Sequence, residues 1–365
     1  MASSRSLLHI IEDSGAPKDS SRYVTLVIVH GYAWHGGSFT KMIPFTDKYN
    51  ARIVLVNRRD YPGSQPYSED ELALLKPVVE GESAEEKTRE NLWAYMRDRA
   101  AELCALLAIL AKEGKILPYD READTGGAIV AGWSFGSCWL TALLAHGDIA
   151  SDVQGINLGD YVRRIVLHDP PYGPLGYASP AEPWNPLIDP TIPPENVIVE
   201  FAKWVSGYYQ HGSTPEELEY RVPLKEPVPT IMRLTEEERD SVLCGGPGSP
   251  GGSDDLLHAN GLRYGLFKRL KDAAFYPPQP NHGAQAPADT WKDTELRYVW
   301  CDRSVWDMPW CCWALHAEID EAKKSGTQMR PITVSRLRGA NHFVHWDEPE
   351  RALRAFICKA KELET

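Results

Sequence analysis

Gly132-Trp133-Ser134-Phe135-Gly136 is a Gly-x-Ser-x-Gly pentapeptide. The bare pattern is common by chance, so its setting decides what it can do. A β-type apolar run, Gly127–Ala131, precedes it. Ser137–His146 behind it reads as a helix with apolar Cys138, Trp139, Leu143 and Leu144. Strand, tight turn and helix form the setting in which a serine hydroxyl is held up as a nucleophile. The turn needs small residues two positions either side of the serine, where a side chain would strike the adjacent strand or helix. Gly132 and Gly136 meet that need. The turn also puts Ser134 at a helix N-terminus, whose dipole favours developing negative charge. This context argues against a plain Gly-Ser turn without chemistry.

The elements that must position Ser134 read as a buried parallel sheet. Apolar runs occur at Val24–His30, Arg52–Asn57, Gly127–Ala131, Arg164–Leu167, Leu296–Trp300 and Ile332–Leu337. Short runs of this kind, alternating with helical stretches, are strands covered on both faces. Ser83-Ala-Glu-Glu86 has the form of a capping box. It opens a long helix striped with Leu103, Leu106, Leu107 and Leu110 and ending near Gly114. Asp347, Pro349 and Glu350 start a last helix through Phe356 and Ile357.

Residues 172–294 break the alternation. They hold a Gly-rich segment, Cys244 to Gly252, flexible by composition, and an extended Pro-rich segment, Tyr276 to Pro280. Ser213–Glu217 and Leu262–Lys271 look helical between these loops. The stretch is an insertion between two core strands, which leaves 1–171 and 295–365 as the core.

Composition narrows the function class. The chain has 365 residues and a net charge of −12, which disfavours a nucleic-acid partner. No apolar run is long enough to span a bilayer, and the first residues do not read as a signal peptide. Seven cysteines without metal-ligand spacing are expected to be reduced thiols in the cytoplasm. No cofactor and no metal is expected. Twelve Trp, 16 Tyr and 28 Pro hint at an aromatic pocket and long ordered loops.

The chain resembles the α/β-hydrolase superfamily over about 22–171 and 294–360. His30-Gly31 with Gly36-Gly37 and Phe39 resembles that family's His-Gly loop after strand three. Asp60-Tyr-Pro-Gly-Ser64 resembles the loop after strand four, and Gly339-Ala-Asn-His342 the Gly-x-x-His loop after the last strand. The fold implied is α/β, a mostly parallel sheet flanked by helices, with a cap inserted between strands six and seven. The base implied is His342, with His345 as the rival. His30 is expected to order its loop, and His168 to be a packed strand-end residue. The family's usual acid position, three residues after Cys301, holds Ser304. Asp307, one turn further on, is taken as the acid, with Asp302 and Asp169 as alternatives. Its role would be to fix the histidine tautomer and stabilise its charged form. The N–H groups of Tyr32 and Phe135 would form an oxyanion hole, with Ala33 as a nearby alternative to Tyr32.

In this superfamily such an insertion covers the catalytic serine as a cap. Trp184, Trp204, Tyr208, Tyr209, Tyr220, Tyr264, Phe267 and Tyr276 would form its own core or pocket walls, and Trp133 and Phe135 are the pocket residues nearest Ser134. The activity implied is hydrolysis of an ester, lactone or thioester of an apolar small molecule through an acyl-enzyme. Two alternatives remain: the same residues running a cyclisation, C–C bond cleavage or transacylation, or a non-catalytic ligand receptor on the same fold. An epoxide hydrolase or haloalkane dehalogenase is disfavoured, because its nucleophile is Asp. The Trp- and Pro-rich insertion resembles fungal-type hydrolases of specialised metabolism.

Overall fold

A computed structural model describes residues 6–277 and 289–359. Seven strands form one sheet in the order β1-β3-β2-β4-β5-β6-β7. They are β1 (His9–Asp13), β2 (Val24–Val29), β3 (Ala51–Asn57), β4 (Ala128–Trp133), β5 (Val162–His168), β6 (Glu295–Cys301) and β7 (Ile332–Leu337). The six expected strands are all present. β1 was not read as one: its residues are half exposed and lack a continuous apolar run. It pairs antiparallel with β3, and every other pairing is parallel. β2 and β4 are buried along their whole length, as strands covered on both faces must be.

The longer helices are α1 (Ala84–Lys112), α2 (Ser137–Ala145), α3 (Val197–Val205), α4 (Ser253–Arg263), α5 (Leu266–Phe275), α6 (Asp307–Ser325) and α7 (Pro349–Ile357). The Leu103, Leu106, Leu107 and Leu110 stripe of α1 is buried as expected. Its capping box is not formed: Ser83 starts the helix without a side-chain cap. Acidic Glu85 and Glu86 in the first turn still complement the dipole there.

The insertion lies between β5 and β6. Among its described residues no strand forms, but its last helix, α5, packs against α2 of the core. The Gly-rich segment is seated, not loose. Pro247 and Gly248 are buried, and the Tyr32 hydroxyl donates to the Gly248 carbonyl at 2.7 Å. A Cβ on Gly248 would sit 2.7 Å from the Tyr32 ring, so close approach explains the glycine. The expected extended stretch after Tyr276 lies mostly outside the described residues.

Two buried arginines tie the sheet to the last helix. Arg164 of β5 donates to the carbonyls of Phe356 and Ile357 at 2.6 and 2.8 Å. Arg297 of β6 donates to those of Ala355 and Cys358 at 2.8 and 2.7 Å. The last carbonyls of α7, which have no partner within the helix, are thus satisfied from the sheet. Arg297→Leu should cost about 3 kcal/mol, because buried carbonyls and Glu295 lose their donor. A thermal melt should show the loss, and hydrogen exchange should place it in Pro349–Ile357. An unchanged melt would show that α7 is held by its apolar face alone.

Candidate active site

The chain runs from β2 outward to β3, then crosses to β4 on the other side of β2. Loops leaving the carboxyl ends of β2 and β4 therefore part, and the crevice between them is where α/β sheets take ligands. In register, Val29 of β2 lies beside Gly132 of β4. That pairing brings the Gly31–Tyr32 loop against Ser134. A Cβ on Gly31 would lie 3.0 Å from Ser134 Cβ, a crowded approach that glycine relieves. Cβ atoms on Gly132 and Gly136 would meet backbone oxygens at 2.7 and 2.4 Å, as the tight turn requires. Ser134 itself adopts φ 54°, a left-handed conformation that an L-residue enters at a cost.

Four non-glycine residues at this edge of the sheet share that conformation. They are Ala33 after β2, Asp60 after β3, Ser134 after β4 and Asp169 after β5. Such strain persists only where the surroundings over-determine it, and it clusters at functional sites.

Asp169 is the partner of His342. Trp133 of β4 pairs with His168 of β5, so the residues that follow, Ser134 and Asp169, leave adjacent strands side by side. Asp169 is fully buried, and its Oδ2 accepts from His342 Nδ1 at 2.7 Å. Its Oδ1 accepts from the Cys301 N–H at 2.8 Å, and the Ser304 hydroxyl donates to Oδ2. Ser304, at the position where the family's acid was expected, is thus a donor to the acid. With Nδ1 donating to a carboxylate, Nε2 of His342 is left as the acceptor nitrogen. It is buried and has no hydrogen-bond partner among the described residues. The His342 imidazole lies beside the elbow, its centroid 4.9 Å from the Trp133 ring, whose N–H donates to the His342 carbonyl.

The expectation that Asp307 pairs with His342 is not met. Asp307 begins α6 and faces the pocket, where burial pushes its carboxyl up to about 8. Asp302 is engaged elsewhere. It accepts from Arg336 at 2.9 Å and from the Gly339 N–H at 2.6 Å, which holds the loop leading to His342. His345 stacks on Phe39 with centroids 4.2 Å apart, and burial holds it well below the usual histidine range. His168 packs edge-on against Phe356, and His30 accepts from the Arg58 N–H at 3.0 Å, as their expected packing and loop-ordering roles require.

The Tyr32 N–H has no acceptor among the described residues, and the Phe135 N–H belongs to the first turn after the nucleophile, where intrahelical acceptors are lacking. The Ala33 N–H is occupied by the Tyr61 hydroxyl at 3.0 Å. That contact belongs to a buried network the sequence reading missed. Arg58 makes two hydrogen bonds to Asp254 of α4, at 2.7 and 2.6 Å, and a third to the Gly31 carbonyl at 2.8 Å. The Tyr61 hydroxyl donates to Asp254 at 2.7 Å. The loop beside Ser134 is therefore clamped from both core and insertion. The one sequence signal was an arginine directly after an apolar strand.

Tyr32, Ser134 and Phe135 line a pocket of about 700 Å³ with its mouth included. Phe201, Trp204, Leu187, Ile188 and Leu262 of the insertion supply apolar walls. Of the two residues expected nearest the serine, Phe135 lines it, whereas Trp133 lies buried beneath His342. His258 of α4, also missed, lines it between Tyr32 and Phe135, and burial pulls its imidazole down to about 4.

Residues 26–355 match the model of the Alpha/beta hydrolase family. The chain belongs to this family. Similar solved structures include a carboxylesterase linked to the thaumarchaeon Nitrososphaera gargenis, 12% identical over 95% of this chain and 91% of that one, TM-score 0.41. The carboxylesterase CesB from Bacillus subtilis is 13% identical over 94% and 85%, TM-score 0.39. A mutant epoxide hydrolase from Solanum tuberosum is 12% identical over 94% and 96%, TM-score 0.48. No curated protein matches the chain significantly.

Two outcomes check this geometry. Asp169→Asn should lower kcat on an activated ester by about 10⁴-fold, as when the imidazole is left in the wrong tautomer. Asp302→Asn should cost less than tenfold. The reverse order would move the acid to the β6 loop. Asp254→Ala should destabilise the fold by about 3–5 kcal/mol, because Arg58 is left charged and unpaired. Denaturant titration measures it, and a loss below about 1 kcal/mol would show the pair to be dispensable.

Proposed function

We propose that this chain is a serine hydrolase that cleaves an ester, lactone or thioester of an apolar small molecule. The observation that carries the proposal is the placing of Asp169, His342 and Ser134 at one edge of the sheet. Asp169 fixes His342 by Nδ1, Nε2 is left free to accept, and Ser134 stands in a left-handed elbow that lines a mostly apolar pocket. In this reading His342 takes the Ser134 proton as the hydroxyl attacks the acyl carbon. The developing oxyanion is met by the N–H groups of Tyr32 and Phe135. His342⁺, stabilised by Asp169, then protonates the leaving group, and water repeats the cycle on the acyl-enzyme.

The nucleophile's chemistry supports ester over epoxide cleavage, since the elbow offers an alcohol and not a carboxylate. The insertion acts as a cap that sets substrate size, a role supported by its apolar side chains in the pocket wall. Cys104, Cys138, Cys244, Cys301, Cys311 and Cys312 form no disulfide among the described residues, which supports a reducing compartment such as the cytoplasm. The Trp- and Pro-rich insertion supports a substrate from specialised metabolism.

Ser134→Ala should lower kcat by about 10⁴-fold or more while leaving the thermal melt in place. Intact mass should show one equivalent of fluorophosphonate on the wild type and none on the variant. One-equivalent labelling that survives in Ser134→Ala would overturn the assignment.

A further inference from the structure

The pocket above Ser134 is apolar on nearly every side, so its one ionisable carboxyl calls for an explanation. Asp307 is only 6% exposed, it lines the pocket, and its Oδ1 has no hydrogen-bond partner among the described residues. It stands at the first residue of α6, next to Trp306, whose indole N–H is engaged by the Trp184 carbonyl at 2.8 Å. The titratable groups that face it are Tyr172 and Tyr220 from the insertion and Cys311 one turn along α6. His258 lines the same pocket from α4 and is held neutral by burial. Burial is the one cause that acts on the Asp307 carboxyl itself.

A buried polar group without a partner is costly, and a leucine or methionine here would avoid that cost and extend the apolar wall. Among the described residues Asp307 supplies no hydrogen bond to His342 and closes no ion pair. Asp307 and Ser134 line the same pocket, so a ligand that fills it meets both residues. A carboxyl that burial keeps protonated up to about pH 8 is a hydrogen-bond donor at neutral pH, and its natural complement is an oxygen acceptor without charge.

We propose that Asp307 is the polar recognition point of the substrate pocket, donating a hydrogen bond to a carbonyl or hydroxyl oxygen carried on the otherwise apolar body of the substrate. This inference rests on the serine-hydrolase reading of the same pocket and narrows its substrate class to oxygenated apolar acyl compounds. A cationic amine is the rival occupant. It would ionise Asp307, and pH separates the two cases. An oxygen acceptor gains from the protonated carboxyl, so its advantage is present below pH about 8 and lost as pH rises through that value. A cation gains from the carboxylate, so its advantage grows over the same interval.

The test compares matched ester pairs that differ by one oxygen. One positional series carries an oxo group along the acyl chain of p-nitrophenyl esters, and a second carries it along the alcohol of a fixed acyl ester. The readout is the ratio of kcat/KM, oxo to plain, within each protein. For the wild type at neutral pH one position should stand out by about tenfold. Asp307→Leu should bring that ratio to about one. Asp307→Asn, of the same shape and with a donor at every pH, should keep a preference and lose its pH dependence, which excludes a folding artefact. No favoured position in either series, a preference that survives in Asp307→Leu, or one that grows with pH overturns the proposal. If plain esters turn over and Ser134 takes the phosphonate in those cases, the hydrolase reading stands and only the recognition point falls. If no ester turns over and Ser134 takes no label, both fall.

Discussion

Asp169 accepts hydrogen bonds from three directions while wholly buried, and the rest of the site depends on that constraint. Its donors come from the loop after β7, the end of β6 and the turn beyond β6, while Asp169 itself ends β5. Three parallel strands must therefore stop at matching heights. Cys301 of β6 pairs with Leu337 of β7, and His168 of β5 with Val299 of β6. A slip of one residue in either pairing would turn every side chain of the slipped strand to the opposite face. The register of these strands thus also sets the distance between Asp169 and His342. The left-handed backbone of Asp169 belongs to the same constraint. It lets the chain leave β5 with its carboxylate turned toward His342, while the Asp169 N–H still donates to Val299 at 2.6 Å.

On the other side of Ser134 the constraint is electrostatic. Arg58 brings a positive charge into the interior, and Asp254 from the insertion neutralises it. Any movement of α4 away from the sheet has to break that pair and expose or strand its charges, a cost of several kcal/mol. The same guanidinium holds the Gly31 carbonyl, and Tyr61 holds the Ala33 N–H, so the peptide between them, with the Tyr32 N–H, has little freedom. Preorganised donors of this kind need no reorganisation as charge develops. The insertion is thus part of the rigid frame of the site at α4, and at α5, which packs on α2.

What the sequence made legible follows the range of the interactions. The strands that are buried on both faces announce themselves as apolar runs. β1 does not, because its two isoleucines stand between His9 and Glu12-Asp13. Ser134 was legible because the elbow's glycines answer to local collisions within five residues. His342 was legible through its loop, Gly339-Ala-Asn-His, after the last strand. The acid was not, because three aspartates end loops at the same edge of the sheet. The choice among them depends on the relative heights of β5, β6 and β7, which no local pattern encodes. The Arg58–Asp254 pair was hidden for the same reason, its partners being separated by 196 positions in the chain. The Gly-rich segment misled in the other direction. Its glycines permit close packing against Tyr32, and composition cannot separate that from flexibility.

The two buried aspartates, Asp169 and Asp307, differ in what surrounds them. Both are removed from water, which by itself drives a carboxyl toward its neutral form. Asp169 receives a hydroxyl, a backbone N–H and an imidazole N–H. Asp307 stands at a helix start yet leaves Oδ1 without a donor, and burial acts on it unopposed. A carboxyl that is neutral near pH 7 cannot stabilise an imidazolium by charge, so adjacency alone would not have qualified it. A hydroxyl such as that of Ser304 carries no counter-charge and is well suited as a donor to one, and it donates to the carboxylate that arrives from the neighbouring strand β5. Two buried acids of one type thus differ in the donors aimed at them: three reach Asp169, and Asp307 Oδ1 has none among the described residues.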